Sequence, residues 1–304
     1  MSSKIMILFG AGASHGAGGM NKTPPLGIEL FSELQKAFPQ TWGIIPSDCI
    51  PKFHNNFEDG MMFFYENQMK YTEIVTLADL LKGMSIYFSK FNITDYQNNY
   101  YWKFVSRYPM ELIHQKITLV SINYDCLLEL ALHEIEKDFS LPMASIPLMK
   151  IHGSCNYIPK KITGKGKWIH NVDTVINCGL EYVFPPSDVE KRLLDIPISA
   201  AIGLYVKGKK CIVGNTAIQK IVKDFQNELL STDVVIIIGV KPNEEDYHIW
   251  DHISKFKGTF YYIGNKGDYD KWVKEYRPQK TSIWLSDKFH LGFNKICQMV
   301  NQSL

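Results

Sequence analysis

Asn123-Tyr-Asp125, His152-Gly153 and Gly10-Ala-Gly-Ala-Ser14 are the groupings whose residue types and spacing could do chemistry. A carboxamide orients a water or bonds a sugar hydroxyl. A carboxylate two residues further on supports the loop or stabilises developing positive charge. A histidine titrates near neutrality, as a general base must, and the glycine after it permits a tight turn. Gly10, Gly12, Gly16, Gly18 and Gly19 let a backbone approach an anion closely, with peptide N–H groups and a helix dipole facing it. Each grouping also has a plainer explanation. Asn and Asp cap helix starts, and a histidine at a turn is often only a surface or core polar group.

These residues need elements to position them. Ile5 to Phe9 reads as a strand running straight into Gly10, and Ile117 to Ile122 as a core strand feeding a helix from Asn123 to Glu136. Leu148 to Ile151 is a short strand ending at His152. Asp233 to Gly239 is an unbroken apolar run, as expected of a central parallel strand covered on both faces. Thr259 to Gly264 and Ser282 to Leu285 are further strands, with Gly264-Asn265 ending the first. Helices are expected over Ile28 to Phe38, Tyr71 to Phe91, Tyr96 to Tyr108, Val213 to Leu230 after a turn, Glu244 to Phe256, Asp268 to Tyr276 and Lys288 to Val300, from their 3–4 apolar spacing. Pro39 to Asp59 reads as irregular. Strands alternating with helices argue an α/β, doubly wound parallel sheet. Residues 39–115 read as a mainly helical insertion and residues 154–200 as a second, smaller one, within a single domain spanning 1–304. Ligands of such sheets bind at the carboxyl ends of the strands, and Gly10, Asn123, His152, Gly239 and Gly264-Asn265 are the residues expected there.

Composition excludes several classes. A net charge of +2 gives no global pull toward nucleic acid or membrane. The six cysteines form no C-x-x-C pair, so neither a zinc ribbon nor a disulfide framework is signalled. The sequence has no apolar stretch of the ~18 residues that span a bilayer and no signal-peptide pattern, so a cytoplasmic protein is expected. The glycine turn spells G-x-G-x-x-x-G rather than the dehydrogenase G-x-G-x-x-G, and no acid follows on a second strand to bind a ribose. There is no Gly-Lys-Ser/Thr of a P-loop and no G-x-S-x-G elbow. Among the other histidines only His15, in the glycine turn, is placed to contact a ligand; His54, His114, His133, His170, His248, His252 and His290 are less well placed. Tyr100-Tyr-Trp102 and Tyr261-Tyr262 read as packing.

The set Gly10-Ala-Gly-Ala-Ser14, Asn123-x-Asp125, His152-Gly153 and the strand to Gly239 resembles the sirtuin-like NAD-binding family, in order and approximate spacing over most of the chain. The resemblance implies a Rossmann-like, sirtuin-type sheet. Protein-deacylating members follow the glycine turn with Gly-Ile-Pro-Asp-Phe-Arg, where this chain has His15-Gly-Ala-Gly-Gly-Met-Asn-Lys-Thr-Pro-Pro25. They carry four zinc-binding cysteines where Cys155 and Cys178 stand here, and Gly-Thr-Ser where Gly239-Val-Lys241 stands. The pattern is more similar to the bacterial antiphage branch, whose members hydrolyse NAD and often work with a separate sensor protein. A Pro-Pro loop like Pro185-Pro186 recurs there.

That resemblance implies an NAD+ glycohydrolase releasing nicotinamide and ADP-ribose, the effector of an abortive-infection system. Asn123, Asp125 and His152 would be catalytic. The backbone from Gly10 through Ala11, Gly12 and Ala13 to Ser14 would bind pyrophosphate, with Pro25, Gly239 and Asn265 completing the nucleotide site. NAD is then the substrate, and the step needs no metal. A sensor encoded nearby and self-assembly into an oligomer are the expected partners, with no direct binding of nucleic acid and no membrane. Two other activities remain open: a subunit that binds NAD or ADP-ribose without turnover, and an NAD-dependent protein deacylase.

Overall fold

Ile5, Ile7 and Phe9 point to one side of the first strand and Met6 and Leu8 to the other, and all five are buried. A strand apolar on both faces demands helices on both, and the chain supplies them. The computed structural model describes residues 3–162, 175–204, 211–243 and 245–304. Its strands are β1 (Ile5–Phe9), β2 (Ile117–Ser121), β3 (Leu148–Lys150), β4 (Tyr157–Pro159), β5 (Leu180–Tyr182), β6 (Val234–Ile238), β7 (Thr259–Ile263) and β8 (Ser282–Ser286). Six form one parallel sheet in the order β3-β2-β1-β6-β7-β8, and β4 with β5 makes a separate antiparallel ribbon. Counted within the sheet alone, the order is 3-2-1-4-5-6, the doubly wound arrangement of Rossmann-like α/β folds. It reverses direction between β1 and β6.

The helices are α1 (Ala11–His15), α2 (Gly27–Ala37), α3 (Ile50–Asn55), α4 (Phe57–Asn67), α5 (Leu77–Ser89), α6 (Tyr100–Val105), α7 (Pro109–Ile113), α8 (Leu127–Asp138), α9 (Val189–Leu194), α10 (Asn215–Leu230), α11 (Tyr247–Lys255), α12 (Lys266–Tyr276) and α13 (Phe289–Ser303). One face of the sheet packs Ile5, Ile7 and Phe9 against Tyr101 of α6, Leu127 of α8 and Phe289, Ile296 and Val300 of α13. The other packs Met6 and Leu8 against Phe225 and Leu229 of α10, Ile249 and Ile253 of α11 and Trp272 of α12.

Every regular element between β1 and β2 is helical. An aromatic cluster of Phe31, Trp42, Phe53 and Phe57 ties α2, α3 and α4 together, with Phe31 stacked on Phe53 at 4.5 Å between ring centroids. Pro39 to Asp59 is therefore not irregular throughout. It holds α3, with Pro51 in its first turn, and the start of α4, capped by Asn56, whose Oδ1 accepts from Glu58 N at 3.1 Å. The helix expected from Tyr71 begins instead at Leu77, because Thr76 and Asp79 form a reciprocal capping box. The helix expected from Asn123 begins at Leu127, because residues 123–126 turn sharply first. Residues 163–174, within the segment read as a second insertion, lie outside the described residues, as do His170 and Glu244. Among the described residues no helix is long and apolar enough to cross a membrane.

Candidate functional site

The strand order reverses between β1 and β6, whose carboxyl ends lie side by side. Gly10 N donates to Ile238 O at 2.9 Å and Gly12 N to Gly239 O at 3.0 Å, so the glycine turn is fastened to the end of β6. It then winds at once into the single turn of α1, with Ala11 exposed at its head and Ala13 and Ser14 buried. The three glycines serve close approach. A Cβ on Gly10 would come within 2.6 Å of Gly239 O, and one on Gly12 within 2.9 Å of Gly239 Cα. Gly239 itself has φ +69°, a left-handed conformation that glycine adopts freely.

Asn123 stands at the exit of β2, only 7% exposed. Its Nδ2 donates to Gly10 O at 2.9 Å and to Ser14 Oγ at 2.9 Å, with Tyr101 OH at 3.4 Å. Gly10 O can only accept, so the carboxamide must turn its NH2 toward the glycine turn. Its Oδ1 is left as the end that can accept from a ligand. Ser14 Oγ and Tyr101 OH bond one another at 2.9 Å. Burial, with the Asp125 charge adding to it, pushes the Tyr101 phenol well above its ordinary value, so it stays protonated.

His152 follows β3 and is 3% exposed. Gly153 has φ +78° and packs directly on the Ala201 backbone, where no side chain would fit. The turn is pinned by Gly203 N donating to His152 O at 2.7 Å and Ser154 N donating to Ala201 O at 2.9 Å. The imidazole Nε2 lies 2.8 Å from His248 Nε2 and 3.6 Å from Asp246 Oδ1. Asp246 and His248 are buried as well. They arrive from β6: the chain leaves Gly239, and Asn243 then grips Asp246 through Asp246 N to Asn243 Oδ1 at 2.7 Å and Asn243 Nδ2 to Asp246 Oδ2 at 3.2 Å, launching α11. Two strand ends that β2 and β1 separate in the sheet, β3 and β6, thus contribute to one titratable cluster.

Asp125 does something different. Its Oδ1 accepts from Leu127 N at 3.1 Å, closing the turn that leads into α8, and its backbone carbonyl accepts from Lys150 Nζ at 2.6 Å. Lys150 and Glu129, both buried, form an ion pair at 2.9 Å. Burial raises the Glu129 carboxyl above its ordinary value despite that partner. Burial works against the charge on Lys150, but Glu129, Cys126 and Asp125 together outweigh it and the ammonium pKa is raised. Cys126 and Cys155 sit beside this pair with sulfurs 3.4 Å apart, and Cys155 N donates to Tyr124 O at 3.0 Å, tying the exits of β2 and β3 together.

The structure thus brings Gly10, Gly12, Ser14, Asn123 and Gly239 into one network and sets His152 in the cluster that β6 delivers. Asp125 supports from beneath by closing the turn that leads into α8. Pro25 is half-buried in the loop before α2, and the neighbouring Pro24 O is bonded by His15 Nδ1 at 3.0 Å. Asn265 is exposed at the end of β7 and spends Oδ1 on Asp268 N at 3.0 Å, capping α12. Tyr101, Asp246 and His248 were not marked by the sequence. Tyr101 sits in an aromatic-rich run that reads as packing. Asn243-x-x-Asp246 before an amphipathic helix was a readable signal, since it aims whatever follows at the end of β6. A separate cavity of about 520 Å³ lies between α8, β3, the β4–β5 ribbon and α10, lined by Glu129, Lys150, Tyr157 and Tyr182 among others. No family model matches the sequence, and a search of curated proteins finds no match either.

Proposed function

We propose that the chain is an NAD+ glycohydrolase of the sirtuin-like type, with residues 39–115 as its helical module. The reading is carried by one observation above all. Asn123 is locked by two short hydrogen bonds to the glycine turn with its acceptor oxygen turned away from them, at the point where the sheet order reverses. An acceptor fixed there is what the reaction needs to hold a ribose hydroxyl or an attacking water.

In the proposed step water attacks C1′ of the nicotinamide ribose. The C1′–N bond breaks, and its electron pair leaves with nicotinamide, neutralising the pyridinium. A C1′–O bond forms, giving ADP-ribose, and the water's proton passes to His152. The transition state has oxocarbenium character. Asn123 orients the nucleophile or the ribose, Asp125 holds the turn beneath it, and the Gly10 to Ser14 turn borders the pyrophosphate by close backbone approach, with Gly10 N and Gly12 N committed to β6 rather than to the anion. Pro25, Gly239 and Asn265 border the nucleotide. His248, 2.8 Å from the base, receives or returns its proton. A separate sensor protein and self-assembly would govern when the site works.

Incubating the purified chain with NAD+ and following free nicotinamide tests the reading. Release that is lost in His152→Ala supports it. Tight NAD+ or ADP-ribose binding with no release at any protein concentration favours a sensor or scaffold subunit instead.

A further inference from the structure

His152 Nε2, His248 Nε2 and an Asp246 carboxylate oxygen all lie within 4.8 Å of one another, and all three side chains are buried. We propose that these three donors form an inhibitory binding site for one divalent transition-metal ion of the zinc class, which while bound occupies His152 Nε2 and so excludes the general-base step of the proposed hydrolysis.

Two neutral imidazoles and one carboxylate are a common set for Zn2+, and three protein donors leave a fourth position for water or an incoming ligand. Hard, oxygen-preferring cations such as Mg2+ and Ca2+ are poorly served by two nitrogens. Zinc–nitrogen bonds of about 2.0–2.1 Å at tetrahedral angles put ligand atoms roughly 3.3–3.4 Å apart. The pair His152–Asp246 stands at 3.6 Å and His152–His248 at 2.8 Å, on either side of that value. Shifts of about half an ångström bring these two pairs to that spacing, and Asp246 and His248 offer donors within 4.8 Å of each other. The two rings meet with Nε2 toward Nε2, their planes at 49°.

Placement supports the same conclusion. The ligands come from two rigid supports. His152 is held by Gly203 N on its carbonyl and by the left-handed Gly153, and Asp246 by the two bonds of Asn243. His248 is fixed by α11, two residues further on. The scaffold is built before any ion arrives, and the donors are shielded from bulk water.

The test reads metal directly and needs no substrate, so its failure is distinct from failure of the hydrolase reading. The full chain is freed of metal with a chelator and titrated with Co2+. A single equivalent should give the visible absorption of cobalt bound by nitrogen donors in low coordination, and one equivalent of Zn2+ should abolish it. Asp246→Asn and His248→Gln, each shown to be folded by circular dichroism, should lose the spectrum at concentrations that saturate the native chain. His252→Ala, at a half-buried position further along α11 and outside the shell, should keep it. Absence of a saturable cobalt spectrum in the native chain overturns the proposal. So does a spectrum retained by both folded ligand variants, which places the ion elsewhere.

Discussion

Replacing Asn123 by alanine separates the two roles this side chain can have. The substitution deletes two hydrogen bonds of 2.9 Å, to Gly10 O and Ser14 Oγ, and a weak one of 3.4 Å to Tyr101 OH. The partners left behind are not stranded. Gly10 O still accepts from Ala13 N at 2.8 Å, and Ser14 Oγ keeps Tyr101 OH at 2.9 Å. At about 1 kcal/mol net per bond the variant should lose roughly 2 kcal/mol of stability, a fall of several degrees in Tm at ~2–4 °C per kcal/mol for a chain of this size class. Turnover should fall much further, by about 10²-fold or more, because the acceptor that orients the nucleophile has gone. Tyr101→Phe is the matched comparison. It removes a hydroxyl from the same network but leaves the Asn123 carboxamide in place, so it should cost about 1 kcal/mol of stability and lower turnover by no more than about tenfold. Urea unfolding and a nicotinamide-release assay under saturating NAD+ measure both quantities on both proteins. An Asn123→Ala protein that is destabilised as stated yet turns over NAD+ within about twofold of native would show that the carboxamide only ties β2 to the glycine turn, and would refute its catalytic assignment.

His152→Ala should lower turnover by about 10²–10⁴, the usual worth of a general base, with a native-like circular dichroism spectrum; unchanged turnover removes His152 from the mechanism. Gly239→Ala should destabilise by roughly 2–4 kcal/mol, because a left-handed φ of +69° and direct contact with Ala13 N and Gly12 both oppose a Cβ there; an unaltered urea midpoint would show that α1 is free to move away. In thiol titration of the native chain at neutral pH, half-buried Cys178 should react first, while Cys49, pushed up to about 11, and Cys211, pushed up to about 12, both by burial, should react only on unfolding. Rapid native-state labelling of Cys211 would contradict that burial.

The sheet was legible in the sequence because its strands are short apolar runs ended by small or polar residues. Ile5 to Phe9 and Val234 to Ile238 are buried on both faces, and no other element could use such a run. The helices before β2 were less legible. Their faces are built from aromatics packing on each other, as Phe31, Phe53 and Trp42 do, and Pro46 and Pro51 between them read as breaks. Helix starts were misjudged where a cap outweighed periodicity, as Thr76–Asp79 does for α5. Within the site, Gly10, Asn123 and His152 were legible as strand ends. His248 was not, because a histidine two residues into a helix has no local mark of its purpose. Only the fold sets the start of α11 against the exit of β3.

The glycine turn carries a different burden from the one its spelling implies. A phosphate-binding turn holds its anion with free peptide N–H groups, yet Gly10 N and Gly12 N are both committed to β6, at Ile238 O and Gly239 O. The glycines are there so that α1 and the end of β6 can touch, which is why Gly239 and Gly12 would each reject a Cβ facing the other. Recognition of a ligand must then fall more heavily on side chains held by that contact. Asn123 is the clearest case: its position is set by Gly10 O, so any residue at position 10 or 239 that spread the turn from β6 would move Asn123 with it. Loss of activity in such variants, greater than in a destabilised variant of equal stability elsewhere in the sheet, is the expected mark of a site whose side chains are positioned through its glycines.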